Sequence, residues 1–255
     1  MSTEEATIAL DGVGKTFGGE EGVRALQNIS CQIFDREFVA VLGPSGCGKS
    51  TMLRIIGGLI PHEEGTATVL GKPVRGPSDD IGIVFQRANL LPWRTVEGNL
   101  RLGVEESNIP TEELREQVQA MFEMLGLTGF EKSHPHELSG GMRRRVAIGQ
   151  ALMRNPRVML MDEPFGALDA LTRDRLNVEL LRIWQAERKT VVLVTHSISE
   201  AVFLSDRVLV MSERPGRIIE EVRIDLPRPR DPKILPEVPE FGQYRVQLGE
   251  LMGVV

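Results

Sequence analysis

The sequence predicts an α/β protein with a mostly parallel sheet at its core, an N-terminal antiparallel β layer and an inserted helical subdomain. Three observations carry this expectation. A glycine loop at 43–50, Gly-Pro-Ser-Gly-Cys-Gly-Lys-Ser, lies between the apolar run Phe38-Val39-Ala40-Val41-Leu42 and the helical-period segment Thr51-Met52-Leu53-Arg54-Ile55-Ile56. Two further apolar runs, Val158-Met159-Leu160-Met161 and Val191-Val192-Leu193-Val194, have the length and uniformity of strands buried on both faces. Between the loop and these runs, the chain from Val96 to about Met153 turns helical.

The elements follow in chain order. Residues 6 to 42 alternate apolar and polar positions, as in Thr7-Ile8-Ala9-Leu10 and Ile29-Ser30-Cys31-Gln32-Ile33, which suggests antiparallel strands. Residues 66–70 and 81–85 add more strands. Thr111-Glu112-Glu113-Leu114 opens a helix with Leu114, Val118, Met121, Phe122 and Leu125 on one face. Leu171 to Trp184 reads as a helix between the two buried strands. Val208-Leu209-Val210-Met211 and Ile218-Ile219 are later strands. Leu226 to Pro239 is dense in proline and reads as irregular. A short amphipathic helix with Leu248, Leu251 and Met252 on one side closes the chain. The expected division is a main domain over 1–225, with its helical subdomain at about 87–154, and a proline-rich extension over 226–255. Ligand is expected at the carboxyl ends of the parallel strands.

The glycine loop has the spacing G-x-x-x-x-G-K-[ST], in the strand, loop and helix context that such a loop requires. Its glycines let backbone N–H groups close around phosphate oxygens, and the helix N-terminus adds partial positive charge. Lys49 is placed to reach the outer phosphates of a nucleoside triphosphate, and Ser50 to give a hydroxyl to Mg²⁺. The run Val158-Met159-Leu160-Met161-Asp162-Glu163 delivers two carboxylates at a strand end. Asp162 is expected to hold the metal, and Glu163 to accept a proton from the water that attacks the γ-phosphate. An exposed acidic strand end is the competing reading. Leu138-Ser139-Gly140-Gly141, just before Met142-Arg143-Arg144-Arg145, is a second anion site or a plain helix cap by Ser139.

Bulk properties narrow the classes. The chain has 255 residues, room for one large domain or a domain with a sub-lobe. A net charge of −6 argues against broad nucleic-acid binding. The arginine triplet 143–145 therefore reads as a solvated or interface helix face. Cys31 and Cys47 are too few for a disulfide framework or a zinc site, which fits a reducing compartment. The acidic start, Met-Ser-Thr-Glu-Glu, has no signal-peptide pattern, and no apolar run reaches membrane-span length.

Taken together, these motifs resemble the nucleotide-binding subunit of ATP-binding-cassette (ABC) transporters, a P-loop NTPase family, over about residues 6 to 225. The ordered set is the loop Gly43, Pro44, Ser45, Gly46, Cys47, Gly48, Lys49, Ser50 and Thr51, then Gln86, Leu138-Ser139-Gly140-Gly141, Asp162-Glu163, Ala167-Leu168-Asp169 and His196 after Thr195. The resemblance implies ATP and Mg²⁺ as ligands. It implies that Phe17 stacks on adenine, although a core or turn phenylalanine is the alternative. It implies that Gln86 touches Mg²⁺ or the attacking water and senses the permease. Ser139, Gly140 and Gly141 are implied to close on the γ-phosphate held by a partner subunit. Asp169 is implied to couple the two sites, and His196 to contact the γ-phosphate.

The sequence departs from the common family pattern at Met142, Arg144 and Gly149-Gln150. Leu90-Leu91-Pro92-Trp93-Arg94-Thr95-Val96 and Met211-Ser212-Glu213-Arg214-Pro215-Gly216-Arg217-Ile218 look like the nitrate/sulfonate/taurine importer group. Leu90, Leu91 and Trp93 either line a groove for a permease helix or pack inside the helical lobe. The implied function is ATP hydrolysis that energises import of a small anion such as nitrate, a sulfonate, taurine or bicarbonate. The implied partners are a second subunit (a homodimer), an integral permease and, indirectly, a solute-binding protein, with no nucleic acid. The implied place is the cytoplasmic face of the plasma membrane. A soluble cassette ATPase acting on nucleic acid or ribosomes is the alternative, but such chains usually carry coiled coils or two cassettes. A small-molecule kinase or GTPase is a third reading. No Asn-Lys-x-Asp or Thr-Lys-x-Asp guanine motif occurs, and Leu-Ser-Gly-Gly has no role there.

Overall fold

The structure, a computed structural model, describes residues 5–19, 22–105, 107, 109–166, 170–231 and 234–254. The chain runs β1 (Ile8–Phe17), β2 (Val23–Ile33), β3 (Phe38–Leu42), α1 (Lys49–Ile56), β4 (Glu64–Val69), β5 (Lys72–Pro73), β6 (Ile81–Val84) and α2 (Val96–Arg101). It continues through α3 (Thr111–Leu125), α4 (Gly140–Leu152), β7 (Val158–Asp162), α5 (Ala170–Glu187), β8 (Thr190–Thr195), α6 (Ile198–Leu204), β9 (Arg207–Met211), β10 (Ile218–Arg223) and α7 (Pro239–Leu251).

Two sheets organise these elements. The antiparallel layer has the order β2-β1-β4-β5, and the central sheet has the order β10-β9-β3-β8-β7-β6. Five central strands are parallel, and β10 is antiparallel at the edge. The expectation of antiparallel strands through residue 42 fails for β3, which pairs in parallel with both β8 and β9. The reason lies in its composition. All five β3 residues are buried, so the strand needs cover on both faces, which the middle of a parallel sheet provides. The helix expected over Leu171 to Trp184 is longer, spanning Ala170–Glu187.

The period of two along each central strand divides the interior into two cores. Phe38, Ala40 and Leu42 join one with Met159, Met161, Val191 and Leu193. Val39 and Val41 join the other with Val158, Leu160, Val192 and Val194. The second core takes in Met52, Leu53, Ile55 and Ile56 of α1, together with Ile8, Leu10, Leu26 and Ile29 of the antiparallel layer. Helix α1 is therefore clamped between the sheets. At its N-cap, Gly48 has φ 112°, and a Cβ there would lie 2.7 Å from Leu26 Cδ2 and 2.8 Å from Ala25 O. Only glycine meets both demands.

The first core continues into the helical lobe. Val118, Met121, Phe122 and Leu125 of α3 are buried as their spacing predicts, with Leu114 partly covered. Gly149 of α4 lies where a Cβ would come within 2.4 Å of Leu125 Cδ1 and 2.8 Å of Leu100 Cδ2. That close approach of α4 to α2 and α3 accounts for glycine at this departure from the family pattern. Fully buried Asn99 fixes the preceding loop: it accepts from Leu91 N–H at 2.7 Å and donates to Leu91 O, Arg94 O and Thr95 O. Leu90 and Leu91 are thereby drawn partly inward, whereas Trp93 is left 72% exposed.

The segment after Asp225 is fastened to α6. Leu226, Leu235, Phe241 and Leu248 join the first core, and Leu251 and Met252 pack against it. Arg230 is buried, with Nη1 donating to Val202 O, Phe203 O and Ser205 O and Nη2 to Ile224 O and Leu226 O. Burial, and after it the charge of Arg228, pulls the Arg230 pKa down to about 10. Arg230→Ala would strand five carbonyls, so a stability loss of about 3 kcal/mol or more is expected. Urea denaturation checks this, and an unchanged midpoint would show that the extension is not part of the cooperative unit.

Candidate nucleotide site

The strand register brings the expected residues to one edge. Leu42 pairs with Thr195, Asp162 with Val194 and Val84 with Met161. The next residues after these four strands are Gly43, Glu163, His196 and Phe85, followed by Gln86. Parallel strands in register deliver their loops to the same end, which is where ligands bind in open α/β sheets.

The phosphate loop, residues 43–51, occupies the centre of that edge. Gly46 and Gly48 have φ of 77° and 112°. Lys49 Nζ donates to Gly43 O at 2.7 Å and to Pro44 O at 2.8 Å, which sets the ammonium in the hollow of the loop. Cys47 is a free, buried thiol. Ser50 Oγ donates to Asp162 Oδ1 at 2.7 Å across 112 residues of sequence. A hydroxyl and a carboxylate side by side form an oxygen-only donor pair, which suits Mg²⁺ when phosphate oxygens and water complete the sphere.

Glu163 follows at the tip of β7 with φ 42°. A left-handed conformation costs a non-glycine residue roughly 1–2 kcal/mol. Here it is held by Glu163 N–H on Val194 O at 2.9 Å and by Gly166 N–H on Glu163 O at 3.2 Å. The bend turns the carboxylate out of the strand. Glu163 Oε2 accepts from Gln86 Nε2 at 3.3 Å and lies 3.3 Å from His196 Nδ1. Three expected residues thus meet at one oxygen.

The remaining expected residues lie apart from this cluster. Phe17 ends β1 with its ring 45% exposed and Lys15 Nζ 5.3 Å from the ring centroid. Ser139 caps α4, accepting from Met142 N–H at 3.2 Å, with Gly140 and Gly141 in the first turn. Among the described residues, no hydrogen bond or ion pair joins Ser139, Gly140 or Gly141 to the phosphate loop. Asp169 lies outside the described residues.

Sequence reasoning missed two supports of the site. The arginine triplet is not a solvated face. Arg143 donates to Leu138 O, Arg145 to Leu125 O and Gly126 O, and Arg144, buried, to Phe85 O and Gln86 O. The guanidinium forks find backbone carbonyls, because a buried arginine must place its donors. Arg144 therefore holds the backbone of Gln86. Arg144→Met should lower stability by about 2–3 kcal/mol, the range for lost hydrogen bonds to a charged group. It should also reduce ATP turnover by freeing Gln86; a chemical denaturation curve and a steady-state assay check both.

The second support is the Met211–Ile218 run. Arg214 Nε and Nη2 donate to Gly46 O at 3.1 and 2.9 Å. Gly216 passes so close that a Cβ would lie 2.2 Å from Cys47 O. This run braces the outside of the phosphate loop. The run itself is visible in the sequence, but its contact with the phosphate loop is not.

The family model described as "ABC transporter" matches residues 26–166. The chain belongs to the ABC transporter family. It is 53% identical to an uncharacterized ABC transporter ATP-binding protein of Methanocaldococcus jannaschii, over 91% of this chain and 85% of that protein. It is 45% identical to the aliphatic sulfonates import ATP-binding protein SsuB of Bacillus cereus, over 88% of each. Identity to the taurine import ATP-binding protein TauB of Rhizobium johnstonii is 42%, over 96% of each. Among solved structures, the dimeric ABC transporter cassette MJ0796 aligns with a TM-score of 0.74 and 36% identity, over 86% of this chain and 99% of that one. The same cassette has been seen as a dimer in a post-hydrolysis state bound to ADP and Pi, with 35% identity to this chain. This ABC chain is thus an ATP-binding ATPase subunit of the import type. The P-loop NTPase fold expected from its sequence is the observed one. A soluble cassette acting on nucleic acid or ribosomes is not favoured.

Proposed function

We propose that this ABC subunit hydrolyses ATP between two copies of itself and so drives a membrane permease that imports a small anion of the sulfonate, taurine, nitrate or bicarbonate class. The observation that carries the reading is the meeting of Gln86, Glu163 and His196 beside the phosphate loop. Glu163 is the base that takes a proton from the attacking water. Gln86 and His196 orient that carboxylate, and His196 reaches the γ-phosphate. Lys49 and the loop N–H groups of 43–51 grip the phosphates, and Phe17 presents its exposed ring to adenine. Ser50 and Asp162, with Gln86 at the edge, would hold Mg²⁺, which when bound neutralises charge on the β- and γ-phosphate oxygens.

Ser139, Gly140 and Gly141, set apart from this chain's own loop, serve the nucleotide of the partner copy, and Asp169 links the two sites. The dimeric state of MJ0796 supports that arrangement. ATP then favours the closed pair and hydrolysis reopens it. No helix among the described residues is long and apolar enough to cross a membrane. The subunit docks on the cytoplasmic face, with exposed Trp93 and the partly buried Leu90 and Leu91 offered to a permease helix. The solute-binding protein acts only through that permease. The names SsuB and TauB support the anionic cargo.

The test is reconstitution. The subunit, its genomic neighbour permease and binding protein are placed in proteoliposomes, and ATP-dependent uptake of labelled taurine, alkanesulfonate, nitrate and bicarbonate is measured. Uptake of one of them is expected. ATP hydrolysis without uptake of any would overturn the cargo class, and a protein that sediments with ribosomes instead would overturn the transport reading.

A further inference from the structure

We propose that Glu200, acting through the Thr195 hydroxyl, is a positioning residue for ATP hydrolysis: it fixes the turn that carries His196 and so sets where the imidazole stands beside Glu163. The inference deepens the transport reading and rests on the role given there to Gln86, Glu163 and His196.

The turn is short. Strand β8 ends at Thr195 and α6 begins at Ile198, so His196 and Ser197 alone join strand to helix. Its strand side is anchored, because Thr195 pairs with Leu42 and Val194 O accepts from Glu163 N–H at 2.9 Å. The His196 side chain leaves the sheet half exposed, with Nδ1 3.3 Å from Glu163 Oε2. A ring so open to solvent is not fixed by packing, and its place depends on the backbone that carries it.

Three hydrogen bonds close a circuit behind that backbone. Thr195 Oγ1 accepts from Ser197 N–H at 3.0 Å, the local bond by which a threonine hydroxyl shapes a turn. Ser197 Oγ accepts from Glu200 N–H at 3.3 Å and caps α6. Glu200 Oε2 accepts from Thr195 Oγ1, so the hydroxyl proton is committed to Glu200 and the lone pairs are left for Ser197.

Ser197 and Glu200 have the spacing of a capping box, in which the glutamate accepts directly from the N–H of the cap residue. Here Thr195 Oγ1 stands between the two. The relay carries the reach of the box back across His196, which a direct bond would leave outside. Thr195 and Glu200 are both buried. Burial raises the Glu200 pKa, and the Thr195 hydrogen bond, followed by the Arg173 charge, pulls it back in part. The far end of α6 is held by Arg230, which donates to Val202 O, Phe203 O and Ser205 O. The carboxyl is thus mounted on a rigid element, as precise positioning requires.

Thr195→Val and Glu200→Met, which keep side-chain size and remove the bond between them, test the proposal by single-turnover ATP hydrolysis in the full chain. Rates are expressed per ATP-binding site, titrated in the same preparation, so that unfolded chains drop out. Each variant is expected to be roughly tenfold to a hundredfold slower, the scale for a misplaced catalytic group, with ATP affinity within about twofold of the parent. Thr195→Ser, which keeps the hydroxyl, is expected to restore most of the rate. On a His196→Ala background neither substitution should slow hydrolysis by more than about a further twofold, because nothing is left to position. Parent-like rates in Thr195→Val and Glu200→Met, with His196→Ala impaired, would overturn the proposal and leave the role of His196 standing. Losses that multiply on the His196→Ala background, or that Thr195→Ser shares, would also overturn it, since they would come from packing rather than from placement of the ring. An unimpaired His196→Ala would overturn the reading of the site itself, and the proposal with it.

Discussion

Glu163→Gln is expected to lower ATP turnover by roughly 10²–10⁴-fold, the range for loss of a general base. The substitution is close to isosteric, and the left-handed backbone of residue 163 is held by main-chain bonds that glutamine leaves intact. A glutamine amide can still sit between Gln86 and His196, but it cannot accept the proton of the attacking water. The phosphate loop is untouched, so ATP affinity should stay close to that of the parent. In the proposed mechanism hydrolysis reopens the closed pair, so the variant should also accumulate ATP-bound dimers in analytical ultracentrifugation. A steady-state phosphate-release assay and a nucleotide-binding titration separate the two effects. Turnover within a few-fold of the parent would remove Glu163 from the role, and a loss of affinity equal to the loss of turnover would make it a binding residue instead.

The parts of this site that are legible in the sequence are those built by local pattern. The five apolar residues before Gly43 and the four before Asp162 read as buried strands, and each carries its chemistry at the next residue. Local pattern alone is therefore enough to place Lys49, Asp162 and Glu163 on one edge. Contacts with distant partners are another matter. Nothing in Met142-Arg143-Arg144-Arg145 tells that Arg144 will reach a carbonyl 59 residues away, because a guanidinium on a helix looks the same whether solvent or backbone awaits it. Leu90 and Trp93 illustrate the same limit within one loop. Both are large and apolar, yet Asn99 ties the chain so that one turns partly inward and the other faces solvent. The parallel pairing of β3 could have been inferred, since an uninterrupted apolar run contradicts the alternation of its neighbours. The left-handed turn at Glu163 could not, since no glycine or asparagine marks it.

Lys49→Ala should act on the other half of the chemistry, weakening ATP binding itself. The ammonium lies inside the loop, 4% exposed, and its close partners are the carbonyls of Gly43 and Pro44, with Cys47 Sγ at 3.9 Å. No carboxylate among the described residues pairs with it, so the charge is available to phosphate oxygens without first breaking an ion pair. Truncating one partner of a buried, hydrogen-bonded charge pair costs about 2–5 kcal/mol, or roughly thirtyfold to several thousandfold in Kd. Two effects have to be kept apart, because alanine also leaves Gly43 O and Pro44 O without their donor and so loosens the loop. Lys49→Arg keeps the charge but not the compact ammonium, and Lys49→Met keeps the aliphatic stem but not the charge. If phosphate recognition is the larger effect, methionine should bind ATP as poorly as alanine while unfolding at nearly the parent denaturant concentration. If loop integrity is the larger, both variants should instead lose stability and affinity together. Titration with a fluorescent ATP analogue reads the first quantity and urea denaturation the second. Unchanged affinity in the alanine variant would contradict the assignment of residues 43–51 to the phosphates, because Lys49 is the one cationic side chain that the loop itself contains.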